Sequence, residues 1–217
     1  MKIEFIQKTE EFLKTKLNEC PYYVTRPADK DYRLEHSYRV ANLGKQIAEK
    51  EGFDVTEMII ACLLHDVSYC QEFNGENDWL NHGRTSAQIA RPFLQELGLP
   101  ENRINDMCYG IAIHVDGKAD FEGKRTAFAE TIGDADNLDR FDAYRIYETL
   151  QYCNFKEMTL EQKQEKVAAT LQILNNLKEN KLGTTAATTL WKERIAYYIS
   201  FYEKLQAQLE NSFSIQP

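Results

Sequence analysis

The stretch "ACLLHDVSY", residues 61–69, decides how this chain folds. Ala61, Cys62, Leu63 and Leu64 leave no polar face, and a helix apolar all round belongs at the centre of a bundle. The segment then runs straight into His65 and Asp66. A carboxylate at that place is costly to desolvate unless something positive meets it. The pair can mark where the helix leaves the core, Asp66 can meet an arginine, or Asp66 can meet a metal ion. Adjacent residues of an α-helix do not point the same way. For both side chains to reach one ion, the helix must end or distort there.

Working outward, helical periodicity recurs along the chain and strand-like alternation is absent, so the expected class is all-α. A first helix is expected over about 3–18, and a second over about 31–50, stopped by Gly52. Asp54 and Glu57 have capping-box spacing and open the helix that ends at Asp66. A fourth helix over about 82–97 contains Pro92, which should kink or break it. A fifth covers about 101–114, and "AFAETIGDADNLDRFDAYRIYETL" reads as one long helix. Two amphipathic segments, about 160–180 and 185–209, follow.

With 217 residues, 43% hydrophobic and 28% charged, the chain can bury a sizeable core, and a single domain over 1–217 is expected. A net charge of −8 and a pI near 5.2 argue against a nucleic-acid polymer or an anionic membrane as partner. No apolar run approaches the roughly 18 residues of a membrane span. The five cysteines (20, 62, 70, 108 and 153) never form C-x-x-C and read as reduced thiols. A cytoplasmic protein is expected.

The four histidines give the His65-Asp66 pair its meaning. His36 shares a helix face with Val40, Leu43 and Ile47. His114 ends the fifth helix in line with Met107 and Ile111, and His82 begins the fourth. Asp136 follows Ile132 by four and Ala129 by seven, which turns it inward. Each could be a satisfied core polar group. Together, imidazoles and carboxylates on inner faces form the ligand set of Mn, Fe, Ni, Co or Zn.

The order His36, His65-Asp66, Asp136 resembles the H…HD…D signature of the HD-domain metal-dependent phosphohydrolases. "HSYRVANL", "DADNLD" and the tail "TTLWKERIAYYISFYEKL" are similar to segments of the stand-alone bacterial branch, so the resemblance runs from about 36 to 209. It implies an HD-like helical bundle with a signature core at about 31–150. The N-terminal helix and the C-terminal helices (about 160–209) would be extensions packed on the same core. It implies that His36, His65, Asp66 and Asp136 hold a divalent ion (Mn, Fe, Ni, Co, Mg or Zn), with Asp66 central to catalysis. His82 and His114 would hold a second ion or contact phosphate, and one ion is favoured over two. The chain departs from the branch at Val67-Ser68-Tyr69, Asn137 and Phe141-Asp142.

An ion in such a site activates water and draws charge from phosphoryl oxygens, so a small phosphate ester or anhydride, above all a nucleoside triphosphate, is the expected substrate. Arg84 in the first turn of its helix, with Lys124 and Arg125 on the loop after His114, are the expected phosphate contacts; Arg39 and Lys118 are further candidates. Tyr22, Tyr23 and Tyr32 could stack on a base. Two alternatives stand beside the hydrolase. One is a dinuclear-iron oxygenase, since oxygen-using relatives share the six-ligand order; the other is a non-catalytic ligand-binding module. The oligomeric state is not legible in the sequence.

Overall fold

A computed structural model describes residues 2–215, which form nine α-helices and, among the described residues, no strand. The helices are α1 (Lys2–Glu19), α2 (Pro27–Glu51), α3 (Val55–Leu64), α4 (Glu76–Glu96), α5 (Glu101–Ile113), α6 (Ala127–Asp139), α7 (Ala143–Tyr152), α8 (Leu160–Leu177) and α9 (Thr185–Glu210). Short 3-10 turns occupy Pro21–Val24, Val67–Cys70 and Phe155–Glu157. Contacts divide the chain into two compact units, residues 1–139 with 183–187, and residues 140–182 with 188–217.

The first unit is built around α3. Met58, Ile60, Ala61, Cys62, Leu63 and Leu64 are buried on every side, and each large aliphatic side chain so buried stabilises by about 1.5–3 kcal/mol. Asp54 caps the helix by accepting from the amides of Thr56 and Glu57, at 2.9 and 3.1 Å. Glu57 does not complete a capping box; it accepts from Arg103 Nε at 2.7 Å. α1 and α2 pack against α3, α4 against α5, and both α2 and α5 against α6. Gly52 ends α2 in the left-handed conformation, with φ 75°.

Three helix boundaries differ from the sequence expectation. α2 begins at Pro27, whose fixed φ suits a first helical position. α4 begins at Glu76, because Glu76 and Asp78 favour its N-terminal dipole and Asp78 accepts the Asn74 amide at 2.8 Å. Pro92 lies inside α4 without ending it. The long helix expected over 127–150 is two helices. Asp142 is extended (φ −128°, ψ 170°) and caps α7 through the Ala143 amide.

In the second unit Phe141 packs edge-on against Trp191, with Tyr198 beside it. Asp142 pairs with Arg194 at 2.9 Å. The Phe141-Asp142 departure is therefore accounted for by packing and capping within this unit. Trp191 Nε1 donates to the Leu177 carbonyl at 3.0 Å, and a Thr159–Gln162 capping box opens α8.

One close approach sets the position of α4. A Cβ on Gly83 would lie 2.8 and 2.9 Å from the carbonyl oxygens of Ala112 and Ile111, at the end of α5. Gly83→Ala should therefore overpack this contact and cost about 1–3 kcal/mol, lowering the melting temperature by several degrees. A thermal melt unchanged from the parent protein would contradict it.

Candidate metal centre

α3 stops where the sequence required a stop. Its last helical residue is Leu64, His65 is the C-cap, and Asp66 has left the helix at φ −109° and ψ 17°. The two neighbouring side chains thereby reach one space. His36 enters it from α2, His82 from α4, His114 from the end of α5 and Asp136 from α6. Six side chains from five helices converge.

Each histidine is fixed through Nδ1. His65, His82 and His114 donate to the carbonyl three residues earlier: Cys62 at 2.7 Å, Trp79 at 2.6 Å and Ile111 at 2.7 Å. For His65 and His114 these carbonyls belong to the last helical turn, where no intrahelical donor serves them. His36 Nδ1 donates instead to Asp139 Oδ2 at 2.8 Å. Acceptor oxygens hold the proton on Nδ1, which leaves every Nε2 directed at the centre.

The donor atoms fall into two sets that share Asp66. In the first, His36 Nε2 lies 3.3 Å from His65 Nε2 and 3.2 Å from Asp136 Oδ1. Both imidazoles lie 3.6 Å from Asp66 Oδ2. In the second, His82 Nε2 and His114 Nε2 are 3.1 Å apart and lie 3.2 and 3.5 Å from Asp66 Oδ1. Ligand atoms about 2.1 Å from an ion lie about 3.0–3.5 Å from each other; the second set has that spacing, and the first is slightly wider, with His65 Nε2 3.8 Å from Asp136 Oδ1. Among the described residues, grouped by mutual distance, three trios could hold a metal ion: His36, His65 and Asp66; His65, His114 and Asp136; and Asp66, His82 and His114.

Electrostatics favour a cation here. His82 and His114 both donate through Nδ1, so as neutral rings they turn lone pairs on each other at 3.1 Å, which repel unless something positive lies between them, and Asp66 Oδ1 is buried with no aligned donor. Burial opposes charge on His36, yet hydrogen bonds to Asp136 and Asp139 and the charge of Asp66 outweigh it and push its pKa up to about 9. Burial dominates at His65, pulled down to about 4, so this imidazole is neutral across the physiological range. Burial also opposes ionisation of Asp66, but the surrounding histidines hold it well below the usual carboxylate range. The donors fit a borderline divalent ion, and among the described residues no cysteine belongs to the trios.

The other candidate residues lie elsewhere. Arg84 Nη1 pairs with Asp116 at 2.8 Å and Nε with Asn81 at 3.0 Å. Lys124 and Arg125 are exposed, and Arg125 Nε lies 3.6 Å from Glu130. Among the described residues none of these three cations pairs with the cluster. Arg39 reaches it indirectly, gripping Asp139 at 2.7 and 3.2 Å. Asp134, on the same helix as Asp136, turns away and accepts the Gly183 amide at 2.8 Å. Burial raises its pKa to about 6.

Two neighbours escaped the sequence reading. Asp139 follows Asp136 by three and so shares its helix face, and Arg33 precedes His36 by three. That spacing was the available signal. Arg33 Nη1 lies 3.4 Å from Asp66 Oδ2.

The HD domain family model matches residues 33–141, half of the chain. An HD-superfamily hydrolase from Bacillus thuringiensis is 22% identical, with 98% of this chain and 100% of that one covered, at a TM-score of 0.66. Bacillus subtilis YpgQ, solved in complex with ADP, is 18% identical over 95% and 96%, with a TM-score of 0.62. The Lin1889 protein of Listeria innocua is 19% identical over 99% of both chains, with a TM-score of 0.61. No match was found among curated proteins.

An ion entering the first set must displace the Nε2 proton of His36, which is held at neutral pH in the ion-free protein. The apparent affinity for Mn²⁺ should therefore rise about tenfold per pH unit from pH 6.5 towards 9 and then level off. Calorimetric titration across that range checks this; an affinity independent of pH would contradict it.

Proposed function

This chain belongs to the HD-domain superfamily of metal-dependent phosphohydrolases, and from that premise we propose that it hydrolyses a small phosphate ester or anhydride of nucleotide size. The observation that carries the reading is the pair of donor sets sharing Asp66. We assign His36, His65, Asp66 and Asp136 as ligands of one divalent ion and Asp66, His82 and His114 as ligands of a second. The resemblance in sequence favoured one ion; the 3.1 Å approach of His82 to His114 supports two.

A divalent ion bound there would act as a Lewis acid and lower the pKa of a coordinated water towards about 7. The chain's own residues prepare that chemistry. Burial keeps His65 neutral and able to offer its lone pair. Asp139, itself held by Arg39, fixes the ring of His36. Asp66 and Asp136 supply the negative charge that makes a dication favourable in a buried site.

A nucleotide is supported by the kinship with YpgQ, which was solved with ADP. The charge of −8 supports a small substrate over a nucleic-acid polymer, since polymer binding needs several phosphate contacts along a basic track. The five free cysteines suit a cytoplasmic setting. Among the described residues no helix is long and apolar enough to cross a membrane.

The test is hydrolysis by the full chain of nucleoside mono-, di- and triphosphates with Mn²⁺, Co²⁺, Ni²⁺, Mg²⁺ or Zn²⁺. Activity should vanish with EDTA and fall about a thousandfold in Asp66→Ala. Oxygen consumption with Fe²⁺ and no phosphate release would favour the oxygenase instead. Two ligand-side substitutions refine the reading. His82→Ala should remove one of two metal equivalents; unchanged metal content with weaker substrate binding would make His82 a phosphate contact. Asp139→Asn should cost about 10- to 100-fold in metal affinity or activity, the usual effect of loosening a ligand's anchor.

A further inference from the structure

Beside the histidine cluster, still within the first unit, opens a pocket of about 290 Å³. That is the lower end of the range for small-molecule sites. Its walls are Tyr22, Tyr32, Tyr69, Phe73 and Trp79, and Arg33 is the one cation among its described lining residues. None of these aromatic rings is needed to hold a metal ion. Trp79, one of these walls, is 51% exposed.

The pocket's inner wall is the outer side of the cluster. Tyr69, Phe73 and Trp79 all lie against the His82 ring, at centroid distances of 5.4, 6.3 and 5.9 Å. Tyr32 lies parallel to His36 at 6.2 Å. Arg33 stands between the two spaces. Its guanidinium centre lies 3.5 Å from the Tyr69 ring centroid, and its Nη1 lies 3.4 Å from Asp66 Oδ2. Aromatic rings on several sides suit a planar ring with a π-face. At the rim Asp29 and Glu72 offer carboxylate acceptors for ring amino groups. A planar fork such as Arg33 suits phosphoryl oxygens.

We propose that this pocket is the specificity site of the chain. It takes the nucleobase of the substrate, while Arg33 holds a phosphoryl oxygen between the pocket and the metal centre. The assignment rests on the phosphohydrolase reading above, but the nucleobase half can be tested without turnover. Adenosine, which has no phosphate, should bind the full chain in EDTA, and ribose should not. Trp79→Ala should weaken adenosine binding about tenfold, the scale of one lost base–aromatic contact.

Turnover gives the second measurement. The ratio of kcat/KM for ADP to that for inorganic pyrophosphate should fall about tenfold in Trp79→Ala and again in Phe73→Ala. Arg33→Lys keeps the charge but loses the fork, and should raise KM about tenfold for both substrates with a smaller change in kcat. If both aromatic variants hydrolyse phosphates at an unchanged ratio, the pocket proposal is overturned and the hydrolase reading stands. If adenosine binds but no phosphate compound is cleaved with any metal, the hydrolase reading is overturned and the nucleobase site stands. A KM unchanged in Arg33→Lys would remove Arg33 from the assignment.

Discussion

A single buried carboxylate governs this structure. Asp66 directs one oxygen at His36 and His65 and the other at His82 and His114, within 3.2–3.6 Å of all four. A charge buried without partners would cost several kcal/mol, so three imidazoles and an arginine arrive from other helices to join the neighbouring His65 in meeting it. That requirement fixes how α2, α4 and α5 are arranged around the end of α3. The apolar body of α3 supplies the burial that offsets the polar centre, and Gly83 lets α4 come close enough to bring His82 beside His114.

Local helix geometry does the aiming. Three of the four histidines use the carbonyl three residues back, two of them at the frayed end of a helix. Placing histidines at helix C-termini thus solves two problems together. An orphan carbonyl gains a donor, and the imidazole presents an unprotonated Nε2 to the centre. His36 sits mid-helix and needs a different anchor. Asp139 provides it, and Asp136 together with this carboxylate raises the proton affinity of His36, so that an ion would compete with a proton for the site.

Much of this was legible in the sequence because helical spacing is a strong signal. The inward placement of His36, His114 and Asp136 followed from their register with apolar neighbours, and the break at His65-Asp66 from the impossibility of aiming adjacent residues together. What spacing could not give was pairing across helices. Asp139 and Arg33 share faces with the expected ligands Asp136 and His36, but their partners lie 103 and 33 positions away. The sequence put Arg84 at a helix start suited to anions, yet α4 begins eight residues earlier, at Glu76, and Asp116, 32 residues on, neutralises Arg84. The break in the stretch 127–150 was hidden for a similar reason. Asp142 reads as one more polar helical residue until its side chain is seen capping α7.

The central claim is that Asp66 is shared by two cation positions, one toward His36, His65 and Asp136 and one toward His82 and His114. Crystals of the full chain grown with Mn²⁺, with anomalous scattering recorded at the manganese edge, test it directly. Two anomalous peaks should flank the Asp66 carboxylate, each within about 2.0–2.4 Å of one of its oxygens. Peaks that leave Asp66 without a metal contact, or no peak in the cluster at saturating Mn²⁺, would contradict the account.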